Sequence, residues 1–478
     1  MKLFYKISVI LIIYALLAIP DSNYEEDKQV AKKKSKTTNW WSVFAENLVK
    51  YKITNSEYQN YQYNKHQVLL DNHLNDLELQ LAEPENPIYD SIRFHLNKLS
   101  ALSALKPNKL VEFQTTTTRC RNLIKYQSRF WDLSDVATTD KIFQLITEVR
   151  LAFESALIQS NIDSISWSLS PNQEEENNKS ESVLIDDIYF KSGDIIVFDF
   201  VFDKNIPLSY IKSLPNSDHH LASIYINESS SVATYIDYKA GIVSEPLELF
   251  VKKTAPNGII LRLRKDFSAL RKKPELPHLA ASIIKNKSGS SKIYYDFNFN
   301  SDTKNYLYDW DLINNEYIAI GLIINAKNLL TSNNVSLMGT DKPHITAFDL
   351  EYSPDFTVAG EWYSTQLLYD NRVRTAATIQ FSQSDYNSYN QLLLPIYRVL
   401  KLYSLLAYRI DMNAPIPTGV SAQNYLIANH FFDAQAKAIN LLINELDLYE
   451  ERQNHKATYL KMLQAASEIR NEQSIVKK

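Results

Sequence analysis

From Val183 onward the chain stops placing apolar residues at helical spacing and breaks them into short runs rich in Ile, Val, Tyr and Phe. Residues 195–198, 221–226, 232–236 and 259–263 are such runs, separated by turn-forming residues. That texture predicts strands. Helical spacing governs residues 39–165 and returns from residue 385. A strand-rich centre between two helical flanks restricts the chain to an α+β architecture. At 478 residues it has length for two or three domains.

In the N-terminal flank, Trp40, Trp41, Val43, Phe44, Leu48 and Val49 recur near helical spacing, as do Leu69, Leu70, Leu74 and Leu77. Pro84, Pro87 and Pro107 mark breaks, and residues 142–153 form a last amphipathic stretch. Residues 168–183 are polar, charged and without period, and predict a linker. Within the centre, residues 275–287 and 316–330 predict helices. Residues 392–408 are strongly apolar, but Pro395, Arg398 and Lys401 argue for a packed helix over a membrane span. After Pro415 and Pro417, residues 421–446 and 447–472 predict amphipathic helices that pack on the N-terminal helices or the central domain.

The first residues carry Lys2 and Lys6, then an apolar run over 7–19. Its length is that of a signal-peptide core and short for a spanning helix. Proline at position 20 stands where a cleavage site wants a small residue. An export signal and an uncleaved anchor are the two expectations. Residues 21–38 form a charged tether in which Lys32, Lys33, Lys34 and Lys36 offer contact to anionic headgroups or simply a solvated link.

Several function classes drop out. A formal charge of -4 gives no general ground for nucleic-acid binding. With 8 glycines in all, no Gly-rich phosphate loop can be written. The 9 histidines lack metal-ligand spacing, and one cysteine allows neither an internal disulfide nor a Cys-rich zinc site. No metal or cofactor is expected. That cysteine, Cys120, is either a small helix residue or, between Arg119 and Arg121, a thiol of lowered pKa.

Asp194, His220, Asp237, Asp309 and Asp311 stand at the ends of the strand-like runs, where sheets meet loops and sites are built. A histidine beside carboxylates serves as general base, metal ligand or structural group. No Ser or Cys stands in a recognisable nucleophile context.

Wording and order add a resemblance. Gly193-Asp194-Ile195-Ile196-Val197-Phe198 is followed by His220-Leu221-Ala222, then Gly241-Ile242-Val243-Ser244-Glu245-Pro246, then Tyr295-Asp296-Phe297-Asn298-Phe299, and finally Gly360-Glu361-Trp362. Over roughly residues 190–365 this succession resembles the circularly permuted papain-like hydrolases of the YiiX/YebB type, relatives of the NlpC peptidases. The resemblance implies a Cys–His pair with an orienting polar residue, the cysteine at a helix N-terminus that stabilises its thiolate. It assigns the histidine to His220 and the orienting residue to Asp237. The cysteine slot falls on Asp309, within Tyr308-Asp309-Trp310-Asp311-Leu312. Asp194, Asp311 and Tyr295 are the candidate ligand contacts.

The expected partition is a signal peptide or anchor over 1–20, the tether over 21–38, a helical region over 39–167 and the linker over 168–183. A permuted papain-like domain then runs over 184–384 and a C-terminal helical region over 385–478. With aspartate in the nucleophile slot, the expectation is a catalytically degenerate homologue in the cell envelope, periplasmic or anchored in the inner membrane. It would bind a peptide, amide or lipid-like ligand, or an envelope protein. An active amide or ester hydrolase with a carboxylate nucleophile and a structural envelope protein are the alternatives.

Overall fold

The structure, a computed structural model, describes residues 40–160, 166–169, 181–199, 219–237, 240–289, 293–295, 306–307, 309–324, 347–389, 422–453 and 455–476. The expected signal or anchor, the tether and the apolar stretch at 392–408 lie outside the described residues. Among the described residues no helix is long and apolar enough to cross a membrane.

The N-terminal region is a helical bundle of α1 (Trp40–Lys52), α2 (Ser56–Leu79), α3 (Ile88–Leu105), α4 (Leu110–Ser128) and α5 (Val136–Gln159). Asn55 caps α2 by accepting the Tyr58 N–H, and Asp135 caps α5 by accepting that of Thr138, which satisfies N–H groups that a helix start leaves open. Phe44, Leu70, Ile92, Leu99, Phe113 and Phe153 are buried at its centre.

The central sheet holds β1 (Ser166–Leu169), β4 (Ile195–Asp199), β5 (His219–Asn227), β6 (Ser230–Asp237), β7 (Gly241–Pro246), β8 (Gly258–Leu263) and β11 (Phe356–Ser364). Its order is β1-β11-β8-β4-β5-β6-β7, and the described pairs are antiparallel. All four predicted runs are strands here. Alternate residues of β4 feed two cores, as the period of two requires. Ile195 and Val197 pack beneath α6 (Leu276–Asn286) and α7 (Asp309–Ala319), with Ile284, Trp310 and Ile313. Ile196 and Phe198 face Phe190, Phe250 and Trp362 on the other side. A small hairpin, β2 (Ser182–Ile185) and β3 (Ile188–Lys191), turns through Asp186 and Asp187, both at positive φ, as a two-residue hairpin turn demands.

The helical bundle packs on the sheet region, because Tyr352 of α8 (Ala347–Tyr352) and Tyr363 of β11 are buried in the bundle core. The contact is strongly polar along α4, where Gln114, Thr118, Arg121 and Lys125 form one stripe. Arg121 pairs with Glu361 of β11, both side chains 1% exposed. Gln114 and Thr118 point donors at the same carboxylate, and the Tyr363 hydroxyl donates to it at 3.1 Å. Lys125 Nζ donates to the Glu351 carbonyl at 2.6 Å, and Arg150 of α5 donates to the Glu351 carboxylate at 2.5 Å. Asn122 bonds both ways to the backbone of Val358, at 2.9 and 2.7 Å, where the register of β11 against β8 shifts.

The C-terminal region adds α9 (Thr365–Tyr389), α10 (Ala422–Gln453) and α11 (Tyr459–Val476). Val373, Ala376, Leu442, Leu446, Met462 and Ala465 form their shared core. Trp41 of α1 meets Tyr459 of α11, ring centroids 4.8 Å apart, so the C-terminal helices do return to the N-terminal ones.

Three expectations are corrected. The helix predicted over 316–330 begins instead at Asp309 and ends at Ala319. Gly321, at φ +83°, closes it: its N–H bonds to Ile318 O at 3.0 Å and that of Leu322 to Tyr317 O at 2.8 Å, the paired bonds of a glycine-terminated helix. The segment expected to pass from helix into linker contains β1, which pairs with β11 from Ser166↔Ser364 to Leu169↔Glu361. Its Ser-Trp-Ser-Leu alternation is that of a strand. The break between the last two helices falls at residues 454–458, not 446–447, and the Thr458 hydroxyl accepts the Lys461 N–H at the new start.

Candidate functional site

His220 stands at the head of β5, opposite Phe198 of β4 by register, with the two rings 5.9 Å apart. Neighbouring Leu221 belongs to the core under α7. The chain returns to this place much later. Gly241 opens β7 at φ +77°, and a Cβ there would lie 2.3 Å from the Ile293 carbonyl oxygen, so only glycine lets that segment approach. Tyr294 and Tyr295 (β9) then pair in parallel with Tyr306 and Leu307 (β10). The chain enters α7 two residues later. Trp310, Leu312, Ile313 and Tyr317 anchor that helix in the core and fix where its first residue sits.

That first residue is Asp309. Its Oδ2 lies 3.0 Å from His220 Nδ1, and both residues are 1% exposed. A carboxylate accepts, so the ring donates from Nδ1 and directs Nε2 elsewhere. Asp311 shares the first turn of α7 and is half-buried. Two carboxylates in a first turn meet open N–H groups and the positive end of the helix dipole. The pair thus provides an oriented imidazole and a buried acceptor, and it holds no thiol or hydroxyl nucleophile.

Asp237 ends β6, the strand beside β5. Continuing the register of Ser223↔Thr234 sets residue 237 opposite residue 220. Its Oδ1 accepts the Ala240 N–H at 2.7 Å and closes the turn into β7. The three residues assigned by the resemblance therefore come to one end of the sheet.

The three candidate ligand contacts divide. Asp311 is at this end. Tyr295 lies by its backbone in β9, paired with Leu307. Asp194 is at the opposite end of β4 and is buried, 1% exposed, in a two-pronged pair with Arg262, both bonds 2.7 Å, while its Oδ2 also accepts the Lys191 N–H. Gly193 beside it, at φ +91°, would set a Cβ 2.3 Å from that of Pro277. The Gly-Asp pair thus has a structural reason: close packing of α6 and an anchor for Arg262.

Of the two readings of Cys120, the structure bears out the small helix residue: it lies within α4 and in the bundle core. It is fully buried, and burial pushes its thiol up to about 12, prevailing over the lowering effect of Arg121 and Arg119. Among the described residues no group of three or more His, Cys, Asp or Glu is arranged to hold a metal ion.

Two polar features escaped the sequence reading. One is the buried network around Arg121, whose signal was the polar stripe on α4. The other is a cleft of about 1000 Å³ between α4, the β3 edge, β8 and the start of α6, with Arg119, Tyr126, Tyr189, Arg262 and Arg264 on its wall. It had no signal, because its residues come from five separate stretches of the chain, from Glu78 to Ala359.

Neither a family model, nor a curated protein, nor a solved structure matches this chain.

Proposed function

We propose that this chain is a catalytically degenerate relative of the permuted papain-like hydrolases, acting by binding in the cell envelope. The observation that carries the reading is the contact of Asp309 Oδ2 with His220 Nδ1 at 3.0 Å. A carboxylate occupies the helix start where the resemblance calls for a cysteine. Its partner is the histidine that the resemblance names, and Asp237 ends the adjoining strand.

An aspartate at a helix start is held in place by the same N-terminal field that would stabilise a thiolate. As a hydrogen-bonded partner of His220 it is an anchor for the sheet end. As a nucleophile it would need access to a substrate carbonyl, and 1% exposure of both groups supports the anchoring role. The ligand class is the one the resemblance implies: a peptide, amide or lipid-like molecule, or an envelope protein that presents one.

The test restores the missing group. The Asp309→Cys variant and the natural protein are exposed to a thiol-directed acylating probe, with His220→Ala added to each. The reading expects labelling of Asp309→Cys that depends on His220, and none in the natural protein. Labelling of Asp309→Cys that ignores His220 sinks the kinship.

A further inference from the structure

The cleft beside α4 lies at the other end of β4 from His220 and Asp309, and its chemistry is independent of the role of that pair. Three arginines on its wall, Arg119, Arg262 and Arg264, differ in how they are held. Arg119 donates to Glu78 and Asn75, at 2.9 and 2.7 Å. Arg262 is held on two prongs by Asp194. Arg264 has one bond only: its Nε donates to Asp266 at 3.1 Å, and among the described residues its two Nη groups donate to nothing.

Asp266 is also shared. Arg129 pairs with the same carboxylate, so two guanidinium groups face one acid and a formal positive charge is left over. The Arg264 side chain is 14% exposed, hence partly stripped of water yet reachable. Its guanidinium carbon lies 4.8 Å from the centroid of the Tyr126 ring, within cation–π range. An under-neutralised planar fork with unused donors fits an oxyanion with two oxygens in one plane. The whole cleft holds about 1000 Å³, with Leu123 and Leu270 also on its wall, which is room for more than an ion.

We infer that this cleft is a binding site for a carboxylate or phosphate carried on an elongated ligand, with Arg264 as the anchoring side chain. Thr115, exposed on α4, stands on the same wall, and its hydroxyl donates to the Val111 carbonyl of its own helix.

The experiment titrates inorganic phosphate and a Glu-Glu-Glu peptide separately into the full chain by calorimetry, then into Arg264→Gln and Thr115→Glu. The expected result is binding of at least one probe, weakened about tenfold or more by Arg264→Gln, the worth of a lost charge-assisted fork. Thr115→Glu, which places a carboxylate on the wall without touching the core, weakens the same probe. Phosphate alone identifies a phosphate-bearing ligand, and the peptide alone a carboxylate-bearing one. Where Arg264→Gln melts earlier than the natural protein, Thr115→Glu becomes the deciding variant. Failure of both probes to bind the natural protein, or affinity unchanged in the deciding variant, overturns the inference.

Discussion

His220 and Asp309 are 89 positions apart in sequence and 3.0 Å apart in space. Each holds the other's polar atom in a place nearly closed to water. Removing either partner leaves a buried group with a lost bond. Asp309→Ala is expected to cost about 1–3 kcal/mol. His220→Ala should cost a comparable amount, and the double variant less than the sum of the two, since the second removal deletes an orphan. Urea unfolding of the four proteins measures the coupling. Strict additivity would mean that the contact contributes nothing.

The strands and the meeting of these two residues were legible for different reasons. Buried strands of Ile, Val and Phe leave a period of two that any window reveals. The pairing of His220 with Asp309 came from motif order and not from pattern. The start of α7 was implied by the resemblance, which set Asp309 at a helix N-terminus, but was hidden from the pattern, because Asp309, Trp310 and Asp311 are followed by Asn314 and Asn315, and the segment lacks a clean helical stripe. Its end was readable in principle from Gly321. The docking of α4 was half legible. Gln114, Thr118, Arg121 and Lys125 recur at helical spacing, but a polar stripe normally faces water. Only Glu351 and Glu361, more than two hundred residues away, make it a buried one.

The α4–β11 contact should be fragile to single removals. Glu361→Ala leaves Arg121 buried without its main partner and is expected to destabilise the chain by about 3–5 kcal/mol. Exchanging both partners, as Arg121→Met with Glu361→Leu, should recover most of that loss, because neither charge is then left behind. Chemical denaturation distinguishes the two cases. A loss under about 0.5 kcal/mol in Glu361→Ala would contradict the burial described for the pair.

Cys120 should be inert in the folded protein. With its thiol pushed up to about 12 by burial, a disulfide-exchange reagent at pH 8 should react only as fast as the protein unfolds. Added urea should bring on the reaction at the unfolding transition. Stoichiometric reaction within seconds under native conditions would refute the core placement.

Acid should act through the bundle histidines. His66 Nδ1 lies 2.9 Å from His95 Nδ1. Burial, with the neighbouring histidines and lysines, lowers both rings from 6.5 to about 4. Between those values the unfolded chain binds protons that the folded chain refuses, so stability falls as pH drops from about 6.5 toward 4. Melting temperature against pH should therefore fall less steeply over this window in His66→Gln than in the natural protein. Equal slopes would show that these rings titrate alike in both states.

Whether the His220–Asp309 pair catalyses anything is decided by turnover. The natural protein, Asp309→Asn and His220→Ala are incubated with a panel of peptide amides and acyl esters, and product is quantified against buffer. The account predicts that all three match the blank. Hydrolysis by the natural protein that Asp309→Asn abolishes would contradict it and establish the carboxylate as a working nucleophile.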